Sequence, residues 1–152
     1  MSIYITGDTH SDFRRFRPYI FNEQLGFSGN PEDNYMIICG DFGGIWYSKD
    51  YEETQEYLPE ENDRLVKLNS YPWTTLFVDG NHDNFDRLYS YPVDDWHGGK
   101  VHRIKPNIIH LMRGESYLIE DKRFFCFGGA SSHDIQDGII DPVEDTDWIQ
   151  TA

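Results

Sequence analysis

Short apolar and β-branched runs alternate along the chain with stretches of helical period, and this alternation predicts an α/β fold. Residues 3–6 form the first expected strand. From Asp12 to about Gln24, Phe13, Phe16, Ile20 and Phe21 share a helical face behind a capping Asp12, which predicts a helix that Pro18 kinks or ends. Tyr35 to Cys39 is a continuous apolar run, the pattern of a strand buried on both faces. Residues 48–70 are polar and acidic with a helical period, divided by Pro59. Thr75 to Val78 predicts a third strand, and residues 84–90 a short helix. Then the pattern changes. Asn107 to Met112, Ser116 to Glu120 and Arg123 to Phe127 read as strands in quick succession, the last two joined at Asp121-Lys122 as a hairpin. From Asp134 to Ala152 no strand or helix is predicted. The layout is three strand–helix units followed by an antiparallel segment.

A length of 152 residues suits one domain with a real core, so residues 1–152 are read as a single domain. No apolar run is long enough to cross a membrane, and no basic leader precedes Gly7-Asp8, so neither a spanning helix nor a signal peptide is expected. Cys39 and Cys126 both lie in apolar runs and read as buried free thiols of a reducing cytoplasm. Thirteen Lys and Arg against 27 Asp and Glu give a net charge of −14. Such a charge repels anionic membranes and nucleic-acid backbones, which disfavours both as partners. A bound metal can still invert the sign locally.

The chemistry concentrates at strand ends. The first strand runs into Gly7-Asp8-Thr9-His10, the second into Gly40-Asp41-Phe42-Gly43-Gly44, the third into Gly80-Asn81-His82-Asp83. In a parallel sheet the carboxyl ends of the strands share one edge, where ligands bind. Asp8, His10, Asp41, Asn81 and His82 are therefore expected to converge from half the chain. Carboxylate, imidazole and amide oxygen together suit borderline divalent cations. Two such ions about 3.5–4 Å apart can clamp a phosphoryl group, and their charge would exceed that of Asp8 and Asp41, focusing an anionic substrate on a −14 chain.

These motifs resemble the calcineurin-like metallophosphoesterase family: Gly-Asp-x-His, Gly-Asp and Gly-Asn-His-Asp/Glu, here Gly7-Asp8-Thr9-His10, Gly40-Asp41 and Gly80-Asn81-His82-Asp83. The resemblance implies a metallophosphoesterase-type β-sandwich flanked by helices. It implies two divalent ions, from manganese, iron, zinc or nickel, with Asp8 and His10 on the first, Asp41 bridging and Asn81 on the second. A bridging hydroxide would attack phosphorus, and His82, not a ligand, would face the substrate and stabilise the transition state. The implied substrate is a small phosphomonoester or phosphodiester. The Ser/Thr protein-phosphatase branch is disfavoured, because no Asp-Arg-Gly follows the second motif.

Two departures follow. Ser11 stands where the family has glycine. No histidine follows His133, whereas the family completes its site with later histidines. The chain is accordingly expected to be an amino-terminal portion, lacking the carboxy-terminal part of the fold, with weak turnover and at most one tight metal site. The alternative is a non-catalytic metal- or phosphate-binding remnant that needs a missing segment or partner, or that self-associates through its incomplete sheet. Around the pocket, His97 in Trp96-His97-Gly98-Gly99, His133 and Trp46 with Tyr47 are candidate wall residues. His110 reads as a core or sheet-face histidine, and the acidic stretch Asp50–Asp63 as a solvated helix face.

Overall fold

A computed structural model describes residues 2–17 and 29–128. The strands are β1 (Ser2–Thr6), β2 (Asn34–Cys39), β3 (Thr74–Val78), β4 (Val93–Trp96), β5 (Gly99–Lys105), β6 (Ile108–Leu111), β7 (Ser116–Ile119) and β8 (Lys122–Phe125). The α-helices are α1 (Glu52–Gln55), α2 (Leu58–Asn69) and α3 (Phe85–Ser90). Six strands form a mixed sheet in the order β1-β2-β3-β6-β5-β4, and β7-β8 form a two-stranded sheet. Strands β1, β2, β3 and β6 are mutually parallel, while β5 and β4 complete the sheet by antiparallel pairing. This is the expected α/β architecture.

Both faces of the large sheet are covered. Met36, Ile38 and Phe77 pack with Leu65 and Leu68 of α2 and Leu88 of α3. On the opposite face Tyr35, Ile37, Leu76 and Ile109 pack with Tyr117 and Ile119 of the small sheet and with Cys126 just after β8. Alternating strand side chains thus feed two cores, which is why β2 and β3 read as unbroken apolar runs. The Tyr117 hydroxyl donates to the Lys100 carbonyl at 2.6 Å and accepts from the Met112 amide at 2.9 Å, tying the small sheet to the large one.

Several expectations change in detail. The helix expected from Asp12 is a 3₁₀ turn over Phe13–Phe16, capped by Asp12 as anticipated. It ends at Arg17, whose φ of −56° and ψ of 126° are extended, because the ring of Pro18 disfavours the helical region in the residue before it. The remainder of that stretch lies outside the described residues. Pro59 divides 48–70 as expected, at the first turn of α2 where its missing N–H costs nothing. The hairpin turn between β7 and β8 falls on Glu120 and Asp121, both at positive φ, one residue before the predicted connection. Cys39 is exposed, not buried, as the last residue of β2; Cys126 is buried, and both are free thiols. Among the described residues no helix is long and apolar enough to cross a membrane.

The β4–β5 hairpin was not predicted. β4 is a charged edge strand whose Val93 faces solvent. In β5 a buried histidine, His102, occupies a position that reads as polar, and the pairing with β6 shifts register between Arg103 and Lys105. Both hide the period-two signal.

Among the acids of the Asp50–Asp63 stretch, one is not solvated. Glu61 is 2% exposed, four and seven residues ahead of Leu65 and Leu68 on the buried side of α2. Its Oε2 accepts the amides of Trp46 (2.8 Å) and Tyr47 (3.0 Å), and its Oε1 the Arg87 guanidinium (2.5 Å). Glu61→Gln turns an amide N–H₂ toward one of these donors. The expected cost is about 2–3 kcal/mol, the scale of a buried hydrogen bond to a charged group, read as a lower urea midpoint at unchanged slope.

Candidate metal centre at the strand ends

The carboxyl ends of β1, β2 and β3 bring the three motif loops together. The loops after β1 and β2 are knitted by backbone bonds: the Thr9 and His10 amides donate to the Asp41 carbonyl (3.1 and 2.9 Å), and the Ser11 amide to the Phe42 carbonyl (2.9 Å). Gly43, at φ 68°, lies so close to the His10-Ser11 backbone that a Cβ would stand 2.8 Å from the Ser11 nitrogen. The second and third loops are clasped by Asp83. Its buried carboxylate accepts the amides of Gly43 (2.8 Å), Gly80 (2.9 Å) and Phe42 (3.2 Å). Burial pushes this carboxyl up to about 8, against the pull of those three N–H groups. A Cβ on Gly80 would overlap the Asp41 carboxylate and backbone nitrogen, so only glycine lets the two loops touch.

Within this frame Asp41 is central. Its Oδ1 accepts the His82 amide at 3.1 Å, and its Oδ2 lies 3.2 Å from His82 Nδ1 and 3.8 Å from His10 Nε2. His10 Nε2 also stands 3.7 Å from Asp8 Oδ2. One imidazole nitrogen therefore sits between two carboxylates. The Asp8 side chain is 58% exposed and that of Asp41 14%, which places Asp8 at the rim and Asp41 on the floor. The Asn81 amide nitrogen lies 3.3 Å from the His82 ring nitrogens. Ligand atoms of His10, Asp41 and His82 all lie within 4.8 Å of one another. Two imidazoles and a carboxylate, with a second carboxylate beside them, fit a divalent cation of the zinc, iron or manganese type.

Asp8, His10, Asp41, Asn81 and His82 are thus adjacent along one chain of contacts. The geometric cluster includes His82, which the resemblance casts as a non-ligand. Strain marks the same place: His10 (φ 45°), Ser11 (φ 64°) and Asp41 (φ 43°) are non-glycine residues in the left-handed region, a cost that persists only where surroundings enforce it.

Trp46 is buried with its ring centroid 6.0 Å from that of His82, so the structure brings it to the site as a wall. Tyr47 follows it but stacks on Tyr57. His97 is placed elsewhere. It occupies the β4–β5 turn, contacts Trp96 and Tyr35, and its Nδ1 lies 2.9 Å from the Leu118 carbonyl. Tyr35 is the second residue of β2, about 13 Å of strand before Cys39 at 3.3 Å per residue, so His97 does not border the pocket. His133 lies outside the described residues.

Sequence reasoning missed the support behind the third loop. Asp79, fully buried, immediately precedes Gly80 and receives His110 Nε2 at 2.9 Å and Arg113 Nε at 2.5 Å. Burial works to raise its carboxyl, but hydrogen bonds and charge from His110 and Arg113 win and hold it below the usual range. His110 is the buried sheet histidine expected, and its Nδ1 faces His102 Nδ1 at 3.0 Å, with the Tyr89 ring packed against both. Burial, with the neighbouring His110, lowers the His102 pKa. The unfolded chain then binds a proton that the folded chain resists. Stability from this group is present above about pH 6.5, the unperturbed histidine value, and is lost as pH falls toward the lower folded pKa. Across that window the expected loss approaches about 1.4 kcal/mol per pH unit. His102→Gln, which keeps a partner for His110 without titrating, should flatten that part of a denaturation-versus-pH curve.

No curated protein and no solved structure matches the chain. The family model described as calcineurin-like phosphoesterase matches residues 1–151. The loops that meet at the strand ends are those carrying the motif resemblance, and the chain belongs to the calcineurin-like phosphoesterase family.

Proposed function

We propose that the chain is a metal-dependent phosphoesterase that hydrolyses small phosphomonoesters or phosphodiesters, with two divalent ions held by Asp8, His10, Asp41 and Asn81 and with His82 acting on the substrate. The single observation that carries this reading is the convergence of His10, Asp41 and His82 ligand atoms within 4.8 Å at the ends of three parallel strands. Divalent ions there supply Lewis acidity toward a phosphoryl oxygen and lower the pKa of water. The protein's own contribution is positional. The His82 amide fixes Asp41 Oδ1, so Oδ2 turns toward both imidazoles. The His82 ring, beside Asp41 and backed by Trp46, is held where it can donate a proton or hydrogen bond to a phosphoryl oxygen. Trp46 presents an apolar wall that excludes water from that side. Two free thiols accord with a reducing, cytoplasmic setting.

The test is metal content after purification, calorimetric titration with manganese, and hydrolysis of p-nitrophenyl phosphate and its bis ester. Metal-dependent release of nitrophenol abolished by a chelator supports the reading, with one ion expected to bind tightly and the second weakly. Two tight ions with robust turnover would refute the expectation of an incomplete site. Metal binding without hydrolysis of either ester would favour the non-catalytic alternative.

A further inference from the structure

We propose that a cationic pocket beside His10 binds a second anionic group on the substrate, so that the preferred substrates are organic phosphates carrying another phosphate or a carboxylate. This rests on the phosphoesterase reading above and names the substrate class within it. The pocket has a volume of about 470 Å³ and begins at His10 and Ser11, then runs over Phe13 and Leu68 to Tyr71. That size is within the range of small-molecule sites. Arg14, Arg64 and Lys67 line it, three of the 13 cations on a chain of net charge −14. Arg64 and Lys67 lie three residues apart on one face of α2, and Leu68 beside them with Tyr71 just beyond the end of the helix gives the pocket an apolar floor.

The guanidinium groups are pre-positioned. Arg14 is held through Nε and NH2 by the two oxygens of Asp12 at 2.8 Å each. Arg64 donates through NH2 to Glu60 (2.5 Å) and through NH1 to the Ser11 hydroxyl (3.1 Å). Ser11 sits at φ 64°, where glycine would be unstrained; its hydroxyl anchors Arg64 one residue from the candidate ligand His10. Lys67 is exposed and has no carboxylate within ion-pairing distance among the described residues. With Asp12 and Glu60 counted, the pocket keeps a net positive charge. His10 belongs both to the strand-end cluster and to the lining of this pocket, so a substrate with one phosphate on the cluster can place a second group in the pocket, where fork-shaped guanidinium groups suit phosphate or carboxylate.

The experiment compares matched pairs, a hexose bisphosphate with the hexose monophosphate and phosphoglycerate with glycerol phosphate, on the wild-type chain and on Arg64→Ala, Lys67→Ala and Lys67→Glu. The expected result is a kcat/KM about tenfold or more higher for the bis-anionic member, as one well-formed charge-assisted contact provides. That preference should shrink toward unity in both alanine variants and reverse in Lys67→Glu. Equal rates within each pair, or a preference that survives the variants, overturns the pocket and leaves the phosphoesterase reading standing. Hydrolysis of no ester with any metal overturns that reading instead. Calorimetry with the hexose bisphosphate then decides the pocket: binding by the wild type that both alanine variants lose supports it, and no binding, or binding they keep, overturns it.

Discussion

Asp41→Asn is expected to fold normally, bind manganese far more weakly and lose nearly all turnover. The substitution preserves shape, and an amide oxygen can still accept the His82 amide at the 3.1 Å position of Oδ1. What it removes is the one charge that lies against both imidazoles. Metal assistance to phosphoryl transfer is worth several kcal/mol, and at 1.36 kcal/mol per decade the drop in kcat/KM should be on the order of 10³. Stability should change little or rise, because the Asp41 charge is one of the causes that raise the carboxyl of the buried Asp83. Calorimetric titration, initial rates and a thermal melt measure the three outcomes. Full activity with intact manganese affinity would sink the central role given to Asp41.

The same geometry explains why the site was legible in the sequence while its supports were not. Gly7-Asp8-Thr9-His10, Gly40-Asp41 and Gly80-Asn81-His82-Asp83 each combine a backbone demand with a ligand type, and each follows a β-branched or aromatic run. Topology alone then brings them to one edge. Glu61, Asp79 and Asp83 carry no such local mark. Glu61 sits in a run of exposed acids and is distinguished only by sharing a face with Leu65 and Leu68. The i, i+4, i+7 spacing was available as a signal. Asp79 gains its meaning from His110 and Arg113, 31 and 34 residues away, and no single-sequence pattern links them. The β4–β5 hairpin failed for a related reason: pattern reading treats histidine as polar, and His102 is buried because the partner it needs, His110, lies across the strand pair.

These buried carboxylates have a common task. Asp83 binds three amides of the second and third loops, Asp79 ties the chain just before Gly80 to His110 and Arg113, and Glu61 holds the Trp46-Tyr47 segment that walls His82. Each replaces water at backbone or cationic donors in a region that carries left-handed non-glycine residues. The chain's acidity is therefore not only a solvated surface; part of it is structural and holds the strand-end loops in place.

The last expected result separates the neighbours His82 and Asn81. His82→Ala should leave metal content nearly unchanged while turnover falls by a factor on the order of 10²–10³, the effect of losing a positioned acid or oxyanion donor. Asn81→Ala should weaken metal binding first and lose activity as a consequence, partly recoverable with excess manganese. The two side chains touch, with the Asn81 amide nitrogen 3.3 Å from the His82 ring, so each variant must be read by metal stoichiometry as well as by rate. The geometry sharpens the test, because His82 Nδ1 stands 3.2 Å from Asp41 Oδ2 and belongs to the group of atoms that could surround an ion. If His82 is a ligand, His82→Ala will lower stoichiometry or affinity, and added manganese will restore part of its rate. If it acts on substrate, no concentration of manganese will restore the rate, because the missing proton or hydrogen bond does not come from the metal. Rescue of His82→Ala but not of Asn81→Ala would mean that the two roles are assigned the wrong way round.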